Sequence, residues 1–256
     1  MTIIEATILG IIQGFTEFLP ISSSGHLVLG QSILGIEQPG NEFEILVHMG
    51  TLMSVLVVFC DDIQSILTSL GKRSTQQFIG FVLVGTVPAI IIGLGFKDVF
   101  ESLFENVTAV GGALMFTGMV LYGSSLVARK DKTHTLLSSI FIGMAQAVAI
   151  IPGVSRSGMT ISTALALGLS SKEAARFSFL LAIPAIAGAG LLTALDVSGG
   201  FQLSMPVAIA GLVSSFVVGV VALKWLLGWL EQGKFHYFGY YCIAIGFLTF
   251  AVSTWI

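Results

Sequence analysis

Charge is scarce in this chain. Of 256 residues only 11 are Lys or Arg and 14 are Asp or Glu, 10% in all, where a soluble domain carries about a quarter. So few ionisable groups cannot cover a surface that faces water, which excludes an ordinary soluble globular fold. The net charge of −3 gives no electrostatic footprint for nucleic acid, and none is expected as a partner. Cysteine is nearly absent too. Cys60 and Cys242 stand apart in apolar segments with no CxxC or Cys/His cluster, so neither a disulfide nor a zinc site is expected. There is no HExxH pattern, and "LGKRST" at 70–75 lacks the first glycine and the Lys-Ser/Thr of a P-loop. The opening "MTIIEATILGIIQGF" has no basic n-region and carries Glu5, so no cleavable signal peptide is expected.

What the chain has in quantity is hydrocarbon: 55% hydrophobic residues and a mean hydropathy of +0.96. This predicts an all-α integral membrane protein, because a segment in lipid must satisfy its own backbone. Six stretches approach the length of a crossing, about 20 residues: 43–60, 78–96, 107–128, 177–195, 205–227 and 237–256. Two others, 3–34 and 136–169, break midway at polar clusters, "LPISSSGH" and "IPGVSRSG".

The two breaks match at a constant shift of 133 residues. Gly10 aligns with Gly143, Gln13 with Gln146, Ser22 with Ser155, Ser24 with Ser157 and Gly25 with Gly158. The same shift carries 43–60 onto 176–193, 78–96 onto 211–229 and 107–128 onto the last span. The chain reads as one membrane domain, 1–256, built of two related units at about 1–128 and 134–256. Orientation follows from Lys and Arg near the span ends. Lys72 and Arg73, then Arg129, Lys130 and Lys132, then Lys172 and Arg176 mark one side, provided each broken segment enters and leaves on the same face. Both termini and 30–42 are then outside, and 62–77, 129–135 and 170–176 inside. The expected fold is an inverted-topology repeat of six transmembrane helices plus two re-entrant helical hairpins.

Polar groups at membrane depth are functional by default. Pro20 ends one half-helix, and Ser22, Ser23 and Ser24 are suited to cap the next. Helix starts and Ser/Gly turns present free N–H groups that favour an anion, and Arg156 adds a planar cationic fork suited to phosphate. Glu17 and His26 supply a metal ligand or base and a nucleophile or acid. Gln13 lies one turn before Glu17 on the same face, so their two oxygens are placed to share one divalent cation. Taken singly, each has an ordinary structural explanation (a cap, a core histidine, a Glu17–Arg156 ion pair). Together, at two related breaks, they suit phosphoryl transfer, which needs positioning and charge neutralisation. His48, Glu42 and Glu44 read as solvated or packed residues, and Asp61 and Asp62 as a span boundary.

The stretch "QGFTEFLPISSSGH" (13–26) resembles the first signature of the undecaprenyl-diphosphate phosphatases, the bacitracin-resistance family, whose (E/Q)xxxE motif starts with Glu or Gln. "PGVSRSGMT" (152–160) resembles its second signature, PGxSRSxxT, and "FSFLLAIPA" (177–185) a further stretch. The resemblance runs the length of the chain. It implies hydrolysis of a polyprenyl (undecaprenyl) diphosphate carrier to its monophosphate plus phosphate. That recycles the carrier for cell-wall synthesis, gives bacitracin resistance and uses a divalent cation, Mg2+ or Ca2+. Carried onto this sequence, Gln13 and Glu17 hold the metal or act as acid and base, and His26 sits at the phosphate. Ser22, Ser23, Ser24 and Gly25 bind the phosphate, and Ser155, Arg156, Ser157 and Thr160 grip its oxygens. Glu17, His26, Arg156 and Ser23 form the implied catalytic set. Where other members have Glu at the position of Gln13 a second carboxylate is available, and the motif permits Gln. The attacking group is left open among His26, a serine and water.

The implied partners are the diphosphate lipid and the bilayer, with a homodimer left open. The implied location is the cell membrane, multi-pass, with the site opening to the outer side. The competing reading is an alternating-access transporter or flippase of a phosphorylated prenyl lipid, since inverted repeats with midplane binding groups have that architecture.

Overall fold

A long apolar run in lipid can satisfy its backbone only as a helix. In the computed structural model, the described residues 1–36, 41–104, 106–127, 131–196 and 203–253 form twelve α-helices and no strand. Residues 37–40 of the expected outer linker, the basic pair Arg129 and Lys130, and the end of the last expected span, 254–256, lie outside the described residues.

The first broken segment becomes α1 (Ile3–Phe18) and α2 (Ser23–Leu34). A capping box starts α1: the Thr2 side chain accepts from the Glu5 N–H, and the Glu5 carboxylate accepts from the Thr2 N–H. The helix stops at Phe18 because Pro20 disfavours a helical residue before it and brings no N–H of its own. Ser22 then caps α2, which ends at Gly35 in the left-handed region, as helix C-termini commonly do. The second broken segment repeats the plan as α8 (Leu136–Val148) and α9 (Arg156–Ala166), interrupted around Pro152.

The remaining helices are α3 (Asn41–Val58), α4 (Cys60–Thr68), α5 (Arg73–Gly95), α6 (Lys97–Phe104), α7 (Val107–Ser124), α10 (Ser171–Asp196), α11 (Met205–Glu231) and α12 (Tyr237–Ser253). Among the described residues four stretches are long and apolar enough to cross a membrane: Arg73–Gly95, Val107–Ser124, Ser171–Leu192 and Met205–Glu231. The bent pair α3–α4 makes a fifth if counted as one span, and α8 and α12 are shorter apolar helices.

The stretch 43–60 read as a span corresponds to α3, Asn41–Val58, and the chain turns at its end. The chain bends by 68° between Val58 and Cys60. Asp61 and Asp62 fall in the first turn of α4, where the positive end of a helix dipole favours acids, so the expected boundary is the start of a new helix. Arg176 of α10 ties α4 down, with its Nε 2.6 Å from Asp62 Oδ1 and its guanidinium 4.8 Å from the centre of the Phe78 ring.

Helix contacts cross between the two halves of the chain. α1 packs along α11, α8 along α5, and α7 along α12. Gly10 and Gly143, the aligned pair, each sit at such a crossing. A Cβ on Gly10 would lie 2.7 Å from the Gly211 carbonyl oxygen, and one on Gly143 would run into that of Gly85. Without a hydrophobic driving force between helices in lipid, small residues that let backbones approach are what hold such contacts. A layer of Phe18, Phe59, Phe177 and Phe179 backs the first break, with Phe179 centred 5.9 Å from Phe18 and 5.8 Å from Phe59.

Candidate active site

Both breaks are closed by the same local device. Ser22 Oγ accepts from the Gly25 N–H at 3.3 Å and lies 3.3 Å from Ser24 Oγ. Ser155 Oγ accepts from the Gly158 N–H at 3.1 Å and lies 3.3 Å from Ser157 Oγ. The two tips touch. A Cβ on Gly25 would sit 3.3 Å from Gly153 Cα, and one on Gly158 3.3 Å from Pro20 Cβ. Ser157 Oγ also lies 3.4 Å from the Leu19 carbonyl oxygen. The N-termini of α2 and α9, with their partial positive charge, therefore begin side by side.

Glu17, in the last turn of α1, is 8% exposed and is the centre of the cluster. Its Oε1 accepts from Arg156 Nη2 at 2.5 Å, and its Oε2 from Ser23 Oγ at 2.6 Å and Gln13 Nε2 at 3.1 Å. Two buried atoms beside this network have no hydrogen-bond partner among the described residues: Arg156 Nη1, a donor, and Gln13 Oε1, an acceptor. Buried polar atoms are seldom left unpaired because each costs about 1–3 kcal/mol. An anionic oxygen would satisfy the first and a cation or donor the second. Ser22 itself holds a φ of +69°, a conformation that costs a residue with a Cβ about 1–3 kcal/mol and is typical of functional turns. The second tip places its positive φ, +92°, at Gly153 instead.

The other expected residues are engaged differently. His26 does not pair with Glu17. Its Nδ1 lies 2.8 Å from the Ser22 carbonyl oxygen and its Nε2 2.9 Å from the Tyr241 hydroxyl. Thr160 donates to the Arg156 carbonyl at 2.8 Å and lies 2.5 Å from Ser178 Oγ, so its hydroxyl serves the contact between α9 and α10. Ser155 and Ser157 are buried, and their hydroxyls hold the turn.

Among the described residues no three His, Cys, Asp or Glu side chains come together as a metal cluster. A divalent cation would take the orphan oxygen of Gln13 and would share a Glu17 oxygen with the hydrogen bonds that it accepts, with water and substrate phosphate filling the remaining positions. That sparse set suits Mg2+, which keeps waters and binds through one or two carboxylates plus phosphate. The residues fit such an ion.

The family model described as "Bacitracin resistance protein BacA" matches residues 6–248. The chain belongs to the BacA family. Its relatives include the undecaprenyl-diphosphatase of Desulfosudis oleivorans, 42% identical over 275 residues, covering 99% of this chain and 98% of the relative. That of Korarchaeum cryptofilum is 42% identical over 258 residues, covering 96% and 97%. That of Halothermothrix orenii is 42% identical over 253 residues, covering 97% and 97%.

In this BacA chain the site includes residues that sequence reasoning passes over. His48 of α3, read as solvated or packed, stands with Nε2 3.8 Å from Glu17 Oε2, while its Nδ1 lies 2.7 Å from the Glu44 carbonyl oxygen. A signal existed, since a histidine interrupting an apolar span is seldom idle. Thr117 of α7 braces the second tip: it donates to the Gly153 carbonyl at 3.0 Å and accepts from the Ser155 N–H at 3.1 Å. Tyr241 and Cys242 of α12 brace the first, with Cys242 Sγ 3.5 Å from the Pro20 carbonyl oxygen. Nothing local marks Thr117 or Tyr241 out.

Proposed function

We propose that this chain hydrolyses undecaprenyl diphosphate to the monophosphate and inorganic phosphate, which returns the lipid carrier to cell-wall synthesis and underlies bacitracin resistance. The observation that carries the reading is the Glu17–Arg156 pair at the meeting point of the two tips, in a BacA-family chain whose relatives are named undecaprenyl-diphosphatases. Arg156 spends one nitrogen on Glu17 and keeps Nη1 for a phosphate oxygen. The starts of α2 and α9 add partial positive charge where the phosphates lie. Ser23 is the candidate nucleophile, because its proton is directed at Glu17 Oε2. Attack by its oxygen on the terminal phosphorus breaks the anhydride bond, releases the lipid monophosphate and leaves a phosphoserine that water then cleaves. Gln13 and Glu17 would hold Mg2+ or Ca2+, which supplies charge neutralisation on the phosphates.

The arrangement we propose around this site is six transmembrane helices plus two re-entrant hairpins, in two inverted units at about 1–128 and 134–256. It is supported by the crossed packing, α1 on α11 and α8 on α5, and by the matched turns at Ser22 and Ser155. The Lys and Arg bias supports a cell-membrane orientation with both termini outside and the site opening to that side. An impermeant thiol reagent reaching a cysteine placed at 132 from outside intact cells, in a background lacking Cys60 and Cys242, would overturn it. Glu17, Ser23 and Arg156 are brought together within one chain.

The test is phosphate release from the diphosphate lipid by purified protein in detergent, with and without chelator. Release abolished by chelator and restored by Mg2+ or Ca2+ is expected. Lipid movement across vesicles with no phosphate release in detergent would replace hydrolysis by transport. Quenching with labelled substrate identifies the nucleophile: acid-stable, base-labile label supports Ser23, and the reverse supports His26.

A further inference from the structure

We propose that Tyr241 is a positioning residue for His26, aiming its Nε2 so that the imidazole enters turnover as an acceptor rather than as a proton donor. This rests on the phosphatase reading above, with His26 at the phosphate as the family resemblance implies. His26 lies in the first turn of α2, and its Nδ1 is 2.8 Å from the Ser22 carbonyl oxygen. A carbonyl only accepts, so Nδ1 carries a proton. Nε2 of the neutral ring is then the acceptor, and the group it faces at 2.9 Å is the Tyr241 hydroxyl, which donates.

The two rings lie within 14° of parallel with centroids 5.7 Å apart, so contact of the faces restrains the imidazole as well as the hydrogen bond. Ser22 fixes which nitrogen is protonated, and Tyr241 fixes where the other one points. A partner on each nitrogen is how working histidines are usually held.

The brace is long-range. Tyr241 is 215 residues from His26 in sequence, and the adjacent Cys242 meets the carbonyl of Pro20 at the break itself. One turn of α12 thus locates both the break in the first hairpin and the imidazole that follows it. A water or a protonated substrate oxygen that donates to Nε2 must take the place that the phenol hydroxyl holds at rest. Tyr241 is 41% exposed, which leaves its ring room to give way.

The test is Tyr241→Phe in the full-length protein, which removes the hydroxyl and keeps the ring contact. We expect kcat to fall about 10–100-fold, the usual cost of losing a group that orients a working histidine, with KM within about two-fold of the parent. The thermal midpoint in detergent should stay put. A second readout is 15N NMR of protein labelled at its four histidines, with His26 assigned by its loss in His26→Gln. The parent should show a protonated Nδ1 and an Nε2 that accepts a hydrogen bond. In Tyr241→Phe the Nε2 signal should move to that of a bare lone pair.

Parent kcat in Tyr241→Phe, an unmoved Nε2 signal, or a change in KM alone would each overturn the proposal, as would a parent spectrum with the proton on Nε2. If Tyr241→Phe proves less stable, the parent spectrum alone still decides whether Nε2 is an acceptor. His26→Gln separates this failure from failure of the reading beneath it. An inactive His26→Gln beside a fully active Tyr241→Phe sinks only the positioning role, whereas parent turnover in His26→Gln sinks the assignment of His26 itself.

Discussion

At the first break Glu17 accepts hydrogen bonds from Gln13, Ser23 and Arg156. At the second, the position corresponding to Glu17 under the shift of 133 is Ile150, and Gln146, which corresponds to Gln13, is buried with neither amide atom paired among the described residues. His26 likewise has Met159 as its counterpart, and Ser23 has Arg156. The turns are the same and the chemistry is divided: one tip holds the acid, the imidazole and the serine bonded to the acid, the other the cation. The difference teaches that neither hairpin is a site by itself. The candidate site lies where the two tips touch, with Glu17, Ser23 and His26 on one side and Arg156 on the other.

Changes at the acid-bearing tip should have the largest effect. Glu17→Gln removes the one carboxylate of the cluster and should cut phosphate release more than about 10³-fold, the scale on which members of a working catalytic unit fail. Release within ten-fold of the parent would erase the distinction between the tips. Arg156→Lys comes next, with an expected loss of about 10²–10³-fold, because an ammonium keeps the charge but loses the fork that serves Glu17 and a phosphate together. Near-parent turnover there would mean that the second tip contributes charge alone.

Smaller effects sharpen the structural half of the comparison. Gly143→Ala drives a methyl group onto the Gly85 carbonyl, and Gly10→Ala drives one onto that of Gly211. Each should lower stability by about 1–3 kcal/mol, read as a lower midpoint of thermal unfolding in detergent. A cost at one crossing and none at the other would break the correspondence between the halves. The smallest effect is expected at Gln146. Gln146→Leu removes an unpaired buried amide, so turnover should stay at the parent value while stability rises by about 1 kcal/mol. Gln13→Leu, which strips a donor from Glu17, should lose activity. If Gln146→Leu silences the protein, the second tip carries chemistry that its contacts do not reveal.

Sequence alone makes the two breaks legible, because Pro, Ser and Gly stand out sharply against an apolar background. The same contrast exposes Gln13, Glu17, Ser23 and Arg156, and their assembly around one carboxylate follows once the tips meet. What it does not give is any contact set by helix packing. His48 and Tyr241 reach the site from α3 and α12, and their neighbours in sequence are ordinary apolar residues. His26 shows the limit most clearly: its motif marks it as important and the Ser22 carbonyl is local, yet its other partner, a phenol, comes from a helix 215 residues away. The bend at Phe59 escapes for a related reason. Asp61 and Asp62 mark a boundary equally well whether the chain leaves the membrane or turns to start another helix.

The crossed packing also imposes an order of events on the making of the protein. α1 and α2 are synthesised first, but the helices that seat them, α11 and α12, are synthesised last. At translation rates of about 5–20 residues per second, the 215 residues between His26 and Tyr241 take roughly 10–40 s to emerge. Arg156 arrives 139 residues after Glu17, so for much of that time a carboxylate meant for a buried pair has no cation to meet. The contacts that hold the first break, from Arg156, Tyr241 and Cys242, are therefore complete only once α12 has been made.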